Sequence, residues 1–198
     1  MSGFYFITEI NENQAAVKSE TTKKALNSLL KGISIDESLI YEYQEHLLLA
    51  ILQTKSFSST AEFWNSLNQS QRVLWTFTKI DNSIKNGGIE AILLESYEYV
   101  FAILNVWEKL DQSKIKTDFE TLLATLLTPS YLDDILNHKK EIGYETFSQE
   151  LDDEAKYNLI VKQAEIIENY YYDKEFKTQY YNSMISFVNN NLNQFIKE

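Results

Sequence analysis

The sequence predicts an all-α protein: a multi-helix bundle forming one domain over residues 1–198, with a short extended segment near its N-terminus. Three observations carry this. Five glycines and one proline in 198 residues are too few for a turn-rich β or α/β architecture. Apolar residues recur every three or four positions along most of the chain, the period of one helix face. A content of 44% hydrophobic and 14% aromatic residues is enough to bury a substantial core. No fixed-period repeat and no low-complexity linker divides the chain, which argues against a solenoid and for a single domain.

Taken in order, Phe4-Tyr5-Phe6-Ile7 reads as a short strand or extended arm. Asp36 is placed to cap a helix carrying Ile40, Tyr43, Leu47 and Ala50. The all-apolar run that follows marks the middle of a bundle. Residues 69–85 repeat Val73, Phe77, Ile80 and Ile84, and residues 89–110 repeat Leu93, Tyr97, Val100, Leu104 and Trp107. Each set predicts a helix. Residues 114–127 show Phe119, Leu122, Leu123 and Leu126 in the same rhythm. Thr128-Pro129 then supplies an N-cap followed by proline at the first helical position, where its missing N–H costs nothing. Two long helices complete the chain. One spans roughly 152–172 and buries Ile160, Ala164, Ile167 and Tyr171; the other spans roughly 173–196 and buries Tyr181, Ile185, Val188, Leu192 and Ile196.

Composition narrows the function. There is no cysteine, so disulfides, thiolate metal sites and cysteine nucleophiles are excluded together. No basic, apolar leader begins the sequence, and no run approaches the ~20 apolar residues of a membrane helix; the chain reads as cytoplasmic. Eighteen basic residues face 29 acidic ones, a net charge of -11, which disfavours direct binding to nucleic acid phosphates and suits a basic protein partner. The excess is uneven. Residues 1–140 hold 13 basic and 18 acidic residues, and residues 141–198 hold 5 and 11, so the shorter part carries -6 against -5.

Neither histidine sits in a recognisable site. Glu42 with His46 and Asp134 with His138 stand four apart, a spacing that chance supplies readily among so many acids, and di-iron bundles need Glu-x-x-His pairs instead. There is no nucleophile elbow and no phosphate-cradling glycine loop. The adjacent acids Asp133-Asp134 and Asp152-Asp153-Glu154 point about 100° apart on a helix, so they suit capping and the helix dipole better than shared acid–base work. No catalytic residue, metal or cofactor is therefore expected. Pairs such as Glu141 and Glu145, Glu150 and Glu154, and Glu165 and Glu168 would place carboxylates roughly 6 Å apart on one face. Lys156, Lys162, Lys174 and Lys177 interrupt them. Tyr170-Tyr171-Tyr172 and Tyr180-Tyr181 are consecutive, so some of these rings are expected at the surface, where tyrosine favours interfaces.

Asp81-Asn82-Ser83-Ile84-Lys85-Asn86-Gly87-Gly88-Ile89 ends a helix in Asn-Gly-Gly followed by an apolar residue. Gly87 is expected in the left-handed conformation that closes the helix, with Gly88 giving a tight turn into the next. Together with the later acidic helix start Leu151-Asp152-Asp153-Glu154-Ala155-Lys156-Tyr157, this resembles the helical family named after DNA mimic protein 19, over roughly residues 70–190. That family commonly continues with an aromatic-rich stretch where this chain has Ile89-Glu90-Ala91-Ile92-Leu93-Leu94. The resemblance implies a helical homodimer that presents acidic surface to a DNA-binding protein, and no enzymatic activity. The expected function is an acidic protein-interaction module, with DNA mimicry as its most specific form. The contact residues would be Asp152, Asp153, Glu154, Glu165, Glu168, Asp173 and Glu175; Asp81, Asn86, Gly87 and Gly88 form the structural motif. The alternatives are an immunity protein neutralising a cationic toxin, such as a nuclease, and an enzyme with a carboxylate site.

Overall fold

A computed structural model describes residues 19–22, 37–44, 48, 60–130 and 144–197. Nine α-helices account for most of them: α1 (Glu37–Gln44), α2 (Thr60–Ser66), α3 (Gln69–Gly87), α4 (Glu90–Glu95), α5 (Val100–Lys109), α6 (Ser113–Leu126), α7 (Tyr144–Leu151), α8 (Glu154–Tyr171) and α9 (Lys174–Asn190). Single 3₁₀ turns occupy Tyr97–Tyr99 and Leu192–Gln194. Two short strands, β1 (Ser19–Thr22) and β2 (Ile196–Lys197), pair in parallel with an irregular register. The fold is all-α apart from that pairing. The extended segment expected at Phe4–Ile7, and Asp36, Leu47 and Ala50 of the first expected helix, lie outside the described residues. Among those described, no helix is long and apolar enough to cross a membrane.

The described residues separate into two compact units, one drawn from 79–130 and 144–176, the other from 19–22, 37–44, 48, 60–78 and 177–197. Their boundaries fall inside α3 and α9, not at a linker, which is why no composition shift marks them.

The second of these units holds an aromatic core. Phe77 stacks on Tyr180 at 4.5 Å between ring centroids and meets Tyr181 edge-on at 6.3 Å. Phe63 packs edge-on against Trp75 at 4.7 Å. The start of α3 is a capping box read directly from Asn68-Gln69-Ser70-Gln71. The Gln71 N–H donates to Asn68 Oδ1 at 2.9 Å, and the Asn68 N–H donates to Gln71 Oε1 at 3.0 Å. Asn68 Nδ2 also donates to the Gln194 carbonyl at 2.6 Å. Buried Arg72 donates from Nε to the Trp64 carbonyl at 3.1 Å and lays its guanidinium 5.0 Å from the Trp64 ring centroid. Tyr43 donates to Asn189 Oδ1 at 2.6 Å, and burial raises its pKa.

The other unit centres on α5, α6 and α8. Trp107 of α5 meets Phe119 of α6 edge-on at 5.4 Å, and both are fully buried. Helices α6 and α8 run antiparallel, since Thr125 bonds Gln163 at 3.0 Å while Asp118 accepts from Tyr170 at 3.0 Å. The expected stripe Ile160, Ala164, Ile167 and Tyr171 is the buried face of α8. Val73, Phe77, Ile80 and Ile84 are likewise fully buried along α3, and Phe119, Leu122, Leu123 and Leu126 are buried on α6. Helix α6 stops at Leu126, Thr128 lies outside any helix, and Pro129 opens the next one as expected.

Three expectations are corrected. Residues 89–110 are not one helix: α4 and α5 are separated at Ser96, whose φ of -130° and ψ of 29° leave the helical range. Ser96 Oγ lies 2.7 Å from Ser83 Oγ, both residues being buried, so a hydrogen bond to α3 accompanies the break. Tyr97 and Leu104 are in consequence only half-buried, and Tyr99, Ile103 and Val106 join the core instead. The last helix ends at Asn190 rather than near 196, because Asn189-Asn190-Asn191 are poor helix formers and Asn191 turns its Nδ2 back onto the Phe187 carbonyl at 2.8 Å. Leu192 is then half-buried in a 3₁₀ turn, and Ile196 belongs to β2. Finally, it is Gly88 and not Gly87 that is left-handed, with φ +72°. Its N–H donates to the Ile84 carbonyl at 2.8 Å, the single closing bond of an αL helix end, and Gly87 remains the last helical residue. The end of α5 closes by a different device. Asp111 is left-handed at φ 55°, and the bonds Gln112 N–H to Trp107 O (2.7 Å) and Asp111 N–H to Glu108 O (3.2 Å) make a Schellman motif without glycine.

Candidate functional site

Helix α8 organises the candidate site, and its two ends are set by residue types legible in the sequence. At the start, Asp153 accepts from the N–H groups of Ala155 (2.9 Å) and Lys156 (3.1 Å). Beyond the end, Asp173 does the same for α9, accepting from Glu175 (2.8 Å) and Phe176 (3.0 Å). Each carboxylate satisfies donors that would otherwise lack an intrahelical partner.

The last turn of α8 clamps the Asn-Gly-Gly turn. Glu168 Oε1 accepts from the Ile89 N–H at 2.8 Å, capping the start of α4 from 79 residues away. The Tyr172 hydroxyl donates to the Ile84 carbonyl at 2.8 Å, the same oxygen that receives the Gly88 N–H. The Tyr171 hydroxyl donates to Asp81, which is fully buried and also paired with Lys85 at 2.9 Å. The left-handed backbone favours glycine at position 88, and a Cβ there would also push the Glu168 carboxylate aside. Burial first, then the charges of Glu168 and Asp81, raise the Tyr172 pKa and keep its hydroxyl protonated as a donor. Tyr170 is pushed well above the usual tyrosine range by burial and then by Asp118, which also holds Lys114 at 3.0 Å. The Lys114 ammonium lies 3.2 Å from the Tyr170 ring centroid.

The outward side of α8 is arranged differently. At 100° per residue, Leu159 and Ile166 stand seven apart on one line, and Glu154 and Glu165 fall on a second line about 120° around the helix. All four are exposed, Leu159 by 50% and Ile166 by 54%. Asn158, exposed Lys162 and Asn169 lie between the two lines. Tyr157, Leu159, Ile166 and Tyr172 are the exposed large apolar residues among those described, and all belong to α8 or the residue closing it.

The seven acids expected to form a contact surface are not brought to one patch. Asp152, Asp153 and Glu154 lie at the start of α8, and Asp173 and Glu175 lie beyond its end, separated by 18 helical residues or about 27 Å. Asp152, Glu154, Glu165 and Glu175 are exposed, Asp153 and Asp173 serve as caps, and half-buried Glu168 holds the turn. Of the acid pairs, Glu150 is bonded to Lys156, while Glu141 and the Glu145 side chain lie outside the described residues. Asn86 and Gly87 are exposed. Of the consecutive tyrosines, Tyr172 reaches the surface, whereas Tyr180 and Tyr181 are both buried, one stacked on Phe77 and the other edge-on to it. His46, Asp134 and His138 are outside the described residues, and among those described no three metal-binding side chains converge. Sequence reasoning missed Leu159 and Ile166. Their i, i+7 spacing, about 120° around the helix from the Ile160–Tyr171 stripe, was the available signal.

No protein-family model, no curated protein and no solved structure matches the chain.

Proposed function

We propose that this protein is an acidic protein-interaction module that docks a cationic protein through the outward side of α8. One observation carries the reading: the large exposed apolar side chains concentrate on the helix whose outward side also displays Glu154 and Glu165. Exposed aliphatic side chains beside charged ones suit an association surface, and a net charge of -11 selects against anionic partners. DNA mimicry is the most specific form of this function. The exposed Asp152–Glu154 run and the net charge support it, as does the Asn-Gly-Gly resemblance. Neutralisation of a cationic toxin is the form in which the basic partner is a nuclease.

Association kinetics against a panel of basic DNA-binding proteins and nucleases test the reading. Exposed charges are screened over ~8 Å at physiological ionic strength, so association should slow steeply with salt. Glu154→Lys with Glu165→Lys should slow it about tenfold further, because exposed charges act mainly on encounter. Glu168 is unsuitable for reversal, since it holds the Ile89 N–H. Rates that ignore both salt and charge reversal across the panel would refute the proposal.

A further inference from the structure

On the α6–α8 pair, a band of uncharged side chains lies between Glu120 on one margin and Glu154 and Glu165 on the other, with Lys162 interrupting the second margin. On α6, Thr117, Thr121 and Thr125 follow one another at four-residue spacing, Thr117 and Thr121 exposed and Thr125 half-buried. The Thr121 hydroxyl donates to the Thr117 carbonyl at 2.9 Å, and that of Thr125 to the Thr121 carbonyl at 3.1 Å. These hydroxyls are thus engaged by their own helix. Thr125 also joins the neighbouring helix through Gln163. Beyond Gln163 come Leu159 and Ile166, half of each open to solvent. Past the band on one side stand Glu154 and Glu165; past it on the other stands exposed Glu120, whose charge is shared with Lys116 at 3.8 Å.

We infer that this band is a docking site for a cationic amphipathic helix, with aliphatic residues seated on Leu159 and Ile166 and lysine or arginine residues over Glu154 and Glu165. The inference rests on the interaction-module reading and names its partner's form. Charge complementarity selects the occupant. A second copy of this chain would bring another -11 and a second Lys162 to the same face, so self-association works against its own charge. A DNA-binding surface would engage the acids and leave the aliphatic line uncovered. An amphipathic helix satisfies both, because Leu159 and Ile166 are seven residues or about 10.5 Å apart along the axis, the i, i+7 anchor spacing of a docked helix. The band is one to two helices wide at the usual 8–10 Å separation. That is small against the ~800 Å² each partner buries in a stable interface, so a short helix fits it better than a folded domain and the complex should be transient. Lys162, lying between the two lines, opposes a cationic residue directly above it and so sets the register of the ligand's charges.

Fluorescence polarisation with synthetic probes tests this. The probes are labelled cationic peptides of about 20 residues with leucines at i, i+3, i+4 and i+7, offered in several charge registers. Scrambled peptides of equal composition and no amphipathic face are the controls. At least one amphipathic register should bind tenfold or more tightly than its scramble. Leu159→Ser with Ile166→Ser should remove that preference, while the salt dependence of the remaining peptide binding, which Glu154 and Glu165 set, should persist. Both residues are half exposed, so circular dichroism should show an unchanged fold. Equal binding of amphipathic and scrambled peptides, unaffected by the double variant, would overturn the inference and leave a purely electrostatic, DNA-mimic type of surface standing. Sedimentation showing a dimer that Ile166→Asp dissociates would assign the face to a second copy and overturn it as well. Loss of all salt-dependent association would refute the underlying function instead.

Discussion

The inner and outer sides of α8 carry similar residues to opposite ends. Turned inward at its last turn, Glu168, Tyr171 and Tyr172 each find a partner on or beside the α3–α4 turn: the Ile89 N–H, Asp81 and the Ile84 carbonyl. Turned outward, Glu154, Glu165, Leu159 and Ile166 face water. Glu165 and Glu168 are three positions apart and chemically identical, yet one is exposed and the other is a helix cap. An acidic residue's role here is decided by which donors the fold brings within about 3 Å. Buried polar groups left without such partners are costly, whereas solvated ones cost little either way. Substitutions on the inner side should therefore cost stability, and those on the outer side should cost binding.

The sharpest contrast comes from Asp81→Ala. It removes the acceptor of the Tyr171 hydroxyl and the counter-charge of Lys85 in a buried setting, and should destabilise by about 3 kcal/mol. Tyr171→Phe should cost about half as much, and the double variant less than the sum by about 1 kcal/mol, since the pair is in contact. Urea unfolding of the four proteins measures this; strict additivity would mean that the two side chains do not act as a pair.

Next in size is the glycine turn. Gly88→Ala should cost about 2 kcal/mol, from left-handed strain of roughly 1–2 kcal/mol together with displacement of the Glu168 carboxylate. Gly87→Ala should cost less. Its Cβ would stand 2.9 Å from that of Ala91, but helical geometry suits alanine and offsets part of the crowding. Thermal melts rank the two, and the reverse order would relocate the left-handed residue to position 87.

The smallest effects separate a cap from a free surface acid. Asp153→Ala removes two accepted hydrogen bonds at the start of α8 and should cost about 1 kcal/mol. Glu165→Lys should stay within about 0.5 kcal/mol of the wild type, as an exposed substitution away from any cap or core does. Equal unfolding midpoints for all three proteins would erase the distinction between the two kinds of acid.

Much of the fold was legible because periodicity and capping are local. The stripes Val73–Ile84, Phe119–Leu126 and Ile160–Tyr171 emerge as buried faces, since each depends only on a 3.6-residue repeat against an apolar interior. Asp153 and the Thr128-Pro129 junction follow equally from short-range hydrogen bonding and proline geometry. The break at Ser96 was not legible, because Leu93, Val100 and Trp107 keep the helical period across it while Ser96 bonds Ser83, 13 residues away. Nor was the choice between Gly87 and Gly88. Either could close a helix, and the Glu168 carboxylate that lies against position 88 arrives from 80 residues downstream. The burial of both Tyr180 and Tyr181 depends on Phe77, which offers a ring to each.

The sequence by itself determined that this chain is helical, acidic and free of cysteine chemistry, and roughly where α3, α6 and α8 begin and end. Those properties reside in composition and in interactions a few residues long. Only the tertiary structure decided which acids are spent on the fold and which stand free, and that α8 shows Leu159 and Ile166 to solvent. A carboxylate or an aliphatic side chain acquires a role from what is placed beside it. In a bundle of this kind, its neighbours lie dozens of residues away along the chain.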